Sequence, residues 1–276
     1  MAQYISQTGI KPAEAFCDVT CLSYLQIGES GPVVVLLHGW GAFKEIWWST
    51  MLALAGHGRV VAPDMPGHGG SPLKGNQRIV DIASRIGEFC TVNEFQPMML
   101  VGHSLSGNVA LELALMHPEL VNRLVLVAPV TNAHLMPAYT RLYLRGFYGW
   151  AILRIMMLIQ RYLGLVGRRV PHVHGGGFVR PLLRRAAYYA RQDVISLHTT
   201  FAGLFDNPIG SRLADLRIPT LVITGALDSL VPVALSRQVA RSIPGAQYVV
   251  IRGAAHNPMD DQPRAFEQAL LNFLYE

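Results

Sequence analysis

The sequence predicts an α/β fold: a mostly parallel central sheet with helices on both faces and an inserted helical cap. Three observations lead there. Apolar strand-like runs and helix-like periodicities alternate from residue 33 to 128, the order that a parallel sheet with crossover helices demands. The alternation stops over 131–215, a stretch rich in Leu, Tyr, Met and Arg with no clear strand, and it resumes from 220 to 275. The core is therefore expected over 1–130 and 216–276, with the cap over 131–215. With 276 residues, 51% of them hydrophobic and 15% charged, the chain can bury a large core, which excludes a disordered protein.

Each element has its own signal. Residues 15–27 alternate in polarity and end at Gly28-Glu-Ser-Gly31, as an antiparallel hairpin or edge pair would. Val33 to Leu37 is a continuous β-branched and apolar run, expected of a strand buried on both faces, and His38-Gly-Trp-Gly41 follows it. Residues 45–54 read as a helix, and 58–62 as a strand ending at Pro63-Asp64. Asp64 and the glycines after it read as a tight surface turn. A helix is expected over 77–93, then strands over 98–101 and 123–127 with a helix between them that carries Leu105, Val109, Ala110, Leu113, Ala114 and Met116 at helical spacing. Beyond the cap, the expectation is strand 220–224, helix 232–242, strand 247–251 and helix 262–275. Within the cap, Arg145, Arg154, Gln160 and Arg161 interrupt the apolar segment 142–166 too often for a membrane span. An amphipathic helix lying on substrate, on the cap core or on a membrane surface remains open.

The stretch that organises the chain is Gly102-His-Ser-Leu-Ser-Gly107. Ser104 falls where strand becomes helix, between glycines, which is the layout of a nucleophile elbow. So sharp a turn needs small neighbours, and the helix N-terminus behind it favours developing negative charge. The pattern Gly-x-Ser-x-Gly asks for glycine at 106, where this chain has Ser106. A serine nucleophile needs a base, an orienting acid and an oxyanion hole. Asp228 follows the strand 220–224 and His256 follows the strand 247–251, both at carboxyl ends of parallel strands, in the chain order Ser, Asp, His. The catalytic candidates are thus Ser104, Asp228 and His256. The oxyanion candidates are the backbone N–H groups of Leu105 and Trp40, while His38, Gly39 and Gly41 shape the loop around Trp40. Asp260 and Asp261 are substitute acids that fit the chain order poorly. Trp47 and Trp48 are expected as packing beneath that loop.

These motifs, together with Asp64-Met-Pro-Gly-His-Gly-Gly-Ser71, Leu227-Asp-Ser-Leu-Val-Pro232 and Gly253-Ala-Ala-His-Asn-Pro258, resemble the α/β-hydrolase superfamily across nearly the whole chain. Within it the chain is similar to the pimeloyl-carrier-protein methyl ester carboxylesterases of biotin synthesis. That resemblance implies hydrolysis of a carrier-linked methyl ester, with cap arginines engaging an acidic carrier protein. Ser106 and a long apolar cap depart from the pattern.

The leading expectation is a serine carboxylesterase acting on apolar acyl esters. Thioester, lactone and carbon–carbon bond hydrolysis use the same three residues, and a non-catalytic binder of hydrophobic ligands on this fold is the alternative of another class. Trp40, Leu135, Met136, Tyr139 and Tyr143 are candidates for the substrate wall, although such residues also serve as plain core. Residues 131–200 hold ten arginines against one acid, Asp193, a net +9 that leaves −4 for the rest of the chain. This reads either as a surface for an acidic carrier or anionic membrane, with Arg180, Arg184 and Arg191 at helical spacing, or as arginine stems lying on an apolar cap.

No phosphate loop or dinucleotide fingerprint appears, so no cofactor is expected. His172-x-His174 has no third ligand nearby in sequence, so no metal is expected, and Gly175-Gly-Gly177 reads as a cap hinge. No nucleic-acid module accompanies the arginines. The start of the chain lacks a signal-peptide pattern, and Cys17, Cys21 and Cys90 are too few for a disulfide framework, so cytoplasmic residence is expected.

Overall fold

A computed structural model describes residues 11–139, 146–167 and 193–276. Eight strands, β1 (Ala13–Cys17), β2 (Leu22–Ile27), β3 (Val33–Leu37), β4 (Arg59–Pro63), β5 (Met98–His103), β6 (Val121–Val127), β7 (Thr220–Gly225) and β8 (Gln247–Ile251), form one sheet in the order β1-β2-β4-β3-β5-β6-β7-β8. The β1–β2 hairpin is antiparallel and pairs antiparallel with β4, and every other pairing is parallel. The described helices are α1 (Trp48–Leu54), α2 (Ile79–Val92), α3 (Leu105–Met116), α4 (Gly146–Gly167), α5 (Val194–Phe205), α6 (Val233–Ser242), α7 (Pro258–Asp261) and α8 (Pro263–Tyr275).

The strand composition follows from burial on both faces. In β3, Val35 and Leu37 join one core cluster with α2 and α3, while Val34 and Leu36 join the other with α1 and α8. β5 and β6 divide in the same way, Leu100 and Leu126 to the first cluster, Val101 and Val125 to the second. From β3 the chain leaves to β4 on one side and later returns as β5 on the other, so the sheet has its switch point at β3. Crevices at the carboxyl ends of strands open at such a point. The loops after β3, β5, β7 and β8 all emerge on this edge.

Two expectations change in structure. The helix predicted over 45–54 starts as a 3₁₀ turn, Lys44–Trp47, and becomes α1 only at Trp48. The reason is Asp64, whose Oδ1 accepts the Lys44 N–H at 2.7 Å and whose Oδ2 accepts Lys44 Nζ at 2.7 Å, anchoring the turn from across the chain. Asp64 is fully buried and also accepts the Gly70 N–H at 2.8 Å, so its segment is a buried tie and not a surface turn. Burial alone would lower the Lys44 pKa, but Asp64, Glu45 and Glu14 around it raise it above the ordinary lysine range. The helix expected over 262–275 is present as α8, with the short α7 before it and Gln262 (φ −138°, ψ 63°) non-helical between them because Pro263 disfavours helical geometry at the residue before it.

The insertion between β6 and β7 is helical where described. Asp193, the one acid of residues 131–200, caps α5 by accepting the N–H groups of Ile195 and Ser196 at 2.6 and 3.2 Å. α4 turns Leu153 and Met157 inward, while Phe147, Tyr148 and Tyr162 are 76%, 79% and 69% exposed beside exposed Ile155, Leu158 and Ile159. The Arg154 guanidinium lies 3.7 Å from the Trp150 ring centre. Among the described residues, no helix is long and apolar enough to cross a membrane.

Candidate active site

The turn from β5 into α3 forces Ser104 to φ 56°, ψ −118°, a backbone region that side-chain-bearing residues rarely occupy. What holds it there is local. The Ser104 N–H donates to the Val127 carbonyl at 2.8 Å, and its own carbonyl accepts from Gly107 and Val130 at 3.0 and 3.1 Å. A side chain at 102 would stand 2.4 Å from the Ser106 carbonyl oxygen, and one at 107 would stand 2.7 Å from Pro129. Both glycines are therefore dictated by close packing.

The structure brings the three sequence-predicted residues together. Ser104 Oγ and His256 Nε2 are 2.9 Å apart, and His256 Nδ1 and Asp228 Oδ2 are 2.8 Å apart. The other Asp228 oxygen accepts the N–H groups of Leu230 and Val231, both at 2.9 Å, which fixes the carboxylate and its orientation. Asp228 is buried and His256 is mostly so. A hydroxyl in line with an imidazole that is itself held by a buried carboxylate can be deprotonated during attack on an electrophilic carbon. Asp261 takes no part in that line: its Oδ2 accepts the Ala255 N–H at 2.9 Å, steadying the loop that carries His256.

The loop after β3 lies against Ser104. A Cβ at Gly39 would meet Ser104 Cβ at 3.0 Å and His103 Nδ1 at 2.9 Å, so only glycine allows the approach. His38 is buried, accepts the Met65 N–H on Nε2 at 2.9 Å, and so donates from Nδ1 to the Gly39 carbonyl at 2.8 Å. Burial lowers its pKa and keeps it neutral. Leu105 is the first residue of α3, where a backbone N–H has no partner within the helix. Trp40 is tied to α5 through its side chain. Its indole N–H donates to the Leu197 carbonyl of α5 at 2.7 Å, and its ring packs edge-on to Phe201.

Of the remaining sequence candidates, Met136 packs into the core, Leu135 is exposed, and the Tyr139 hydroxyl donates to the Ser229 carbonyl, next to Asp228. Tyr143, Arg180, Arg184 and Arg191 lie outside the described residues, as do His172, His174 and the glycines 175–177. Trp47 is buried against His103 and Phe266, beneath the site.

Of the polar neighbours of Ser104, sequence reasoning passed over His103 and gave Ser106 no role. His103 Nε2 donates to the His256 carbonyl at 2.9 Å, bracing the loop that carries His256. Burial, then the nearby His256, push its pKa down to about 3, so it stays a neutral donor. Ser106, buried, donates its hydroxyl to the His38 carbonyl. The only signal for the second was a serine where the motif has glycine.

Comparison with known proteins places this geometry. The alpha/beta hydrolase fold family model matches residues 32–263. The chain is 31% identical over 253 residues to the pimeloyl-[acyl-carrier protein] methyl ester esterase of Aeromonas hydrophila, covering 88% of this chain and 96% of that one. Among solved structures, a hydrolase from Pseudomonas aeruginosa superposes with a TM-score of 0.77 at 27% identity, over 96% of this chain and 98% of that one. The enol-lactonase from Burkholderia xenovorans shares the fold, with a TM-score of 0.78 at 20% identity over 96% of this chain and all of that one.

Proposed function

We propose, on the premise that the chain belongs to the α/β-hydrolase fold family and is a carboxylic ester hydrolase, that Ser104, His256 and Asp228 are its catalytic residues. The observation that carries this reading is the unbroken line of contacts from Ser104 Oγ through His256 to Asp228, at 2.9 and 2.8 Å. His256 Nε2 takes the Ser104 proton as Oγ attacks the ester carbonyl carbon, and gives it to the departing alkoxide. The acyl group remains on Ser104 until a water, deprotonated by His256, attacks it and releases the carboxylic acid. Asp228 holds the imidazole tautomer and stabilises the imidazolium. The N–H groups of Leu105 and Trp40 receive the oxyanion, each such donor being worth about 2.7–4 kcal/mol of transition-state stabilisation.

The proposed substrate is the methyl ester of an apolar acyl chain linked to an acidic carrier protein. The name of the Aeromonas relative, a pimeloyl-[acyl-carrier protein] methyl ester esterase, supports the substrate class, and the ten arginines of 131–200 support the carrier. In this reading 131–215 is a helical cap over a core formed by 1–130 and 216–276. Trp40, Leu135, Met136, Tyr139 and Tyr143 border the acyl chain, and Arg180, Arg184 and Arg191 meet the carrier. Cytoplasmic residence belongs to the same reading, supported by three cysteines that are all free. A second docking partner, an anionic membrane surface, is favoured by one observation, the outward apolar face of α4.

The test is turnover of a chain-length series of p-nitrophenyl esters by the native protein and by Ser104→Ala, followed by carrier-linked and free methyl esters. Hydrolysis that vanishes in the variant, with the carrier-linked ester preferred, is the expected result. Comparable activity in a folded Ser104→Ala protein overturns the mechanism. Equal turnover of linked and free esters overturns the carrier, and binding to anionic vesicles then selects the membrane.

A further inference from the structure

We infer that Ser106 is a positioning residue for the oxyanion hole: its buried hydroxyl locks the loop after β3 to the helix that carries the nucleophile. The inference rests on the proposed roles of Ser104, Trp40 and Leu105. It starts from where the sheet stops helping. Parallel pairing of β3 with β5 ends at Leu37 opposite Gly102, so the peptides from His38 onward have no ladder to hold them. His38 is buried, and a buried carbonyl needs a donor. Ser106 Oγ supplies it.

The consequence reaches Trp40 through peptide planarity. The His38 carbonyl and the Gly39 N–H share one rigid plane, and the Gly39 carbonyl and the Trp40 N–H share the next. Ser106 pins the first plane. His38 Nδ1, at 2.8 Å, and the Ala42 N–H, at 3.1 Å, pin the second through the Gly39 carbonyl. With both planes fixed, the direction of the Trp40 N–H is fixed too.

The donor that anchors this chain of constraints sits on the first turn of α3, one residue beyond Leu105. Both oxyanion donors are thereby referred to the same rigid element, and their separation cannot drift when the β3 loop moves. A glycine at 106 would leave the His38 carbonyl without this donor and the first plane free to rock. Preorganised donors stabilise a developing charge because no reorganisation is needed at the moment of reaction, and a misplacement of about 1 Å can cost roughly a hundredfold in rate.

The experiment compares native protein with Ser106→Ala and Ser106→Gly, each confirmed folded by its melting curve, with Ser104→Ala alongside. On a p-nitrophenyl ester, the two Ser106 variants should lose about tenfold to a hundredfold in kcat with KM changed less than about twofold. Affinity for a trifluoromethyl ketone, which forms a tetrahedral oxyanion on the serine, should fall by the same factor. Affinity for the corresponding methyl ketone, measured on the Ser104→Ala background where no adduct forms, should not change. Ser106→Thr, which keeps the hydroxyl, should recover part of the lost kcat. Native kcat in either folded variant overturns the inference, as does a kcat loss with undiminished trifluoromethyl ketone affinity. Activity surviving in Ser104→Ala instead overturns the serine mechanism beneath it, a result that the Ser106 variants cannot mimic.

Discussion

The carboxyl edge of the sheet and the outer face of α4 solve opposite problems. Around Ser104 the polar groups are held by one another: Asp228 by two backbone N–H groups, His256 by His103 and Asp228, and His38 by Met65, Gly39 and Ser106. On α4, Phe147, Tyr148, Ile155, Leu158, Ile159 and Tyr162 face outward with nothing described over them, although the same helix buries Leu153 and Met157. The first region is built to keep a geometry fixed without a partner. The second keeps apolar area in water, which contributes nothing to stability and suits the docking proposed for this face. The proposed chemistry and the proposed recruitment thus fall on different regions, and they should separate under mutation.

The largest effect belongs to the sheet edge. Asp228→Asn should keep the fold but leave His256 in the wrong tautomer, lowering kcat by about ten-thousandfold. Steady-state kinetics with a p-nitrophenyl ester checks this, and a loss below tenfold would separate Asp228 from the reaction.

The next effect is acid sensitivity of the same region. Burial, chiefly, depresses the pKa of His68 to about 4 and that of His103 to about 3, from an ordinary value near 6.5. Between these values the unfolded chain binds protons that the folded chain refuses. Stability is therefore fully present above about pH 6.5 and falls as the pH drops, by on the order of 3 kcal/mol from His68 alone once the pH reaches about 4. Melting temperature against pH should fall steeply below about pH 6, and His68→Gln should flatten the slope.

The smallest effect on the fold, and the one that sharpens the contrast, comes from α4. Ile155→Ser and Leu158→Ser remove exposed side chains and should change stability by less than about 0.5 kcal/mol, with turnover of a small soluble ester unchanged. Turnover or capture of a carrier-linked or vesicle-embedded ester should drop several-fold. An equal loss on the small ester would show that the outer face supports the site after all.

The sequence disclosed the parts that obey local rules. β3, β5, β6 and β7 are runs of apolar residues because both of their faces are covered, and Ser104, Asp228 and His256 each follow a strand whose end the runs announce. Interactions that join distant segments were illegible. The Lys44–Asp64 tie spans 20 positions and turned an expected helix start into a 3₁₀ turn, and the Ser106–His38 bond spans 68. Nothing periodic announces such pairs.

The positive φ of Ser104 has a last consequence. Holding a side-chain-bearing residue there costs about 1–3 kcal/mol, a strain that glycine would not feel. Less the entropy that glycine loses on folding, about 0.5–1 kcal/mol, Ser104→Gly should give an inert protein that melts at a higher temperature than the native one. Natural selection for sturdiness alone would discard the serine. The proposed nucleophile is thus held at a cost in thermal margin that is set by a single dihedral angle.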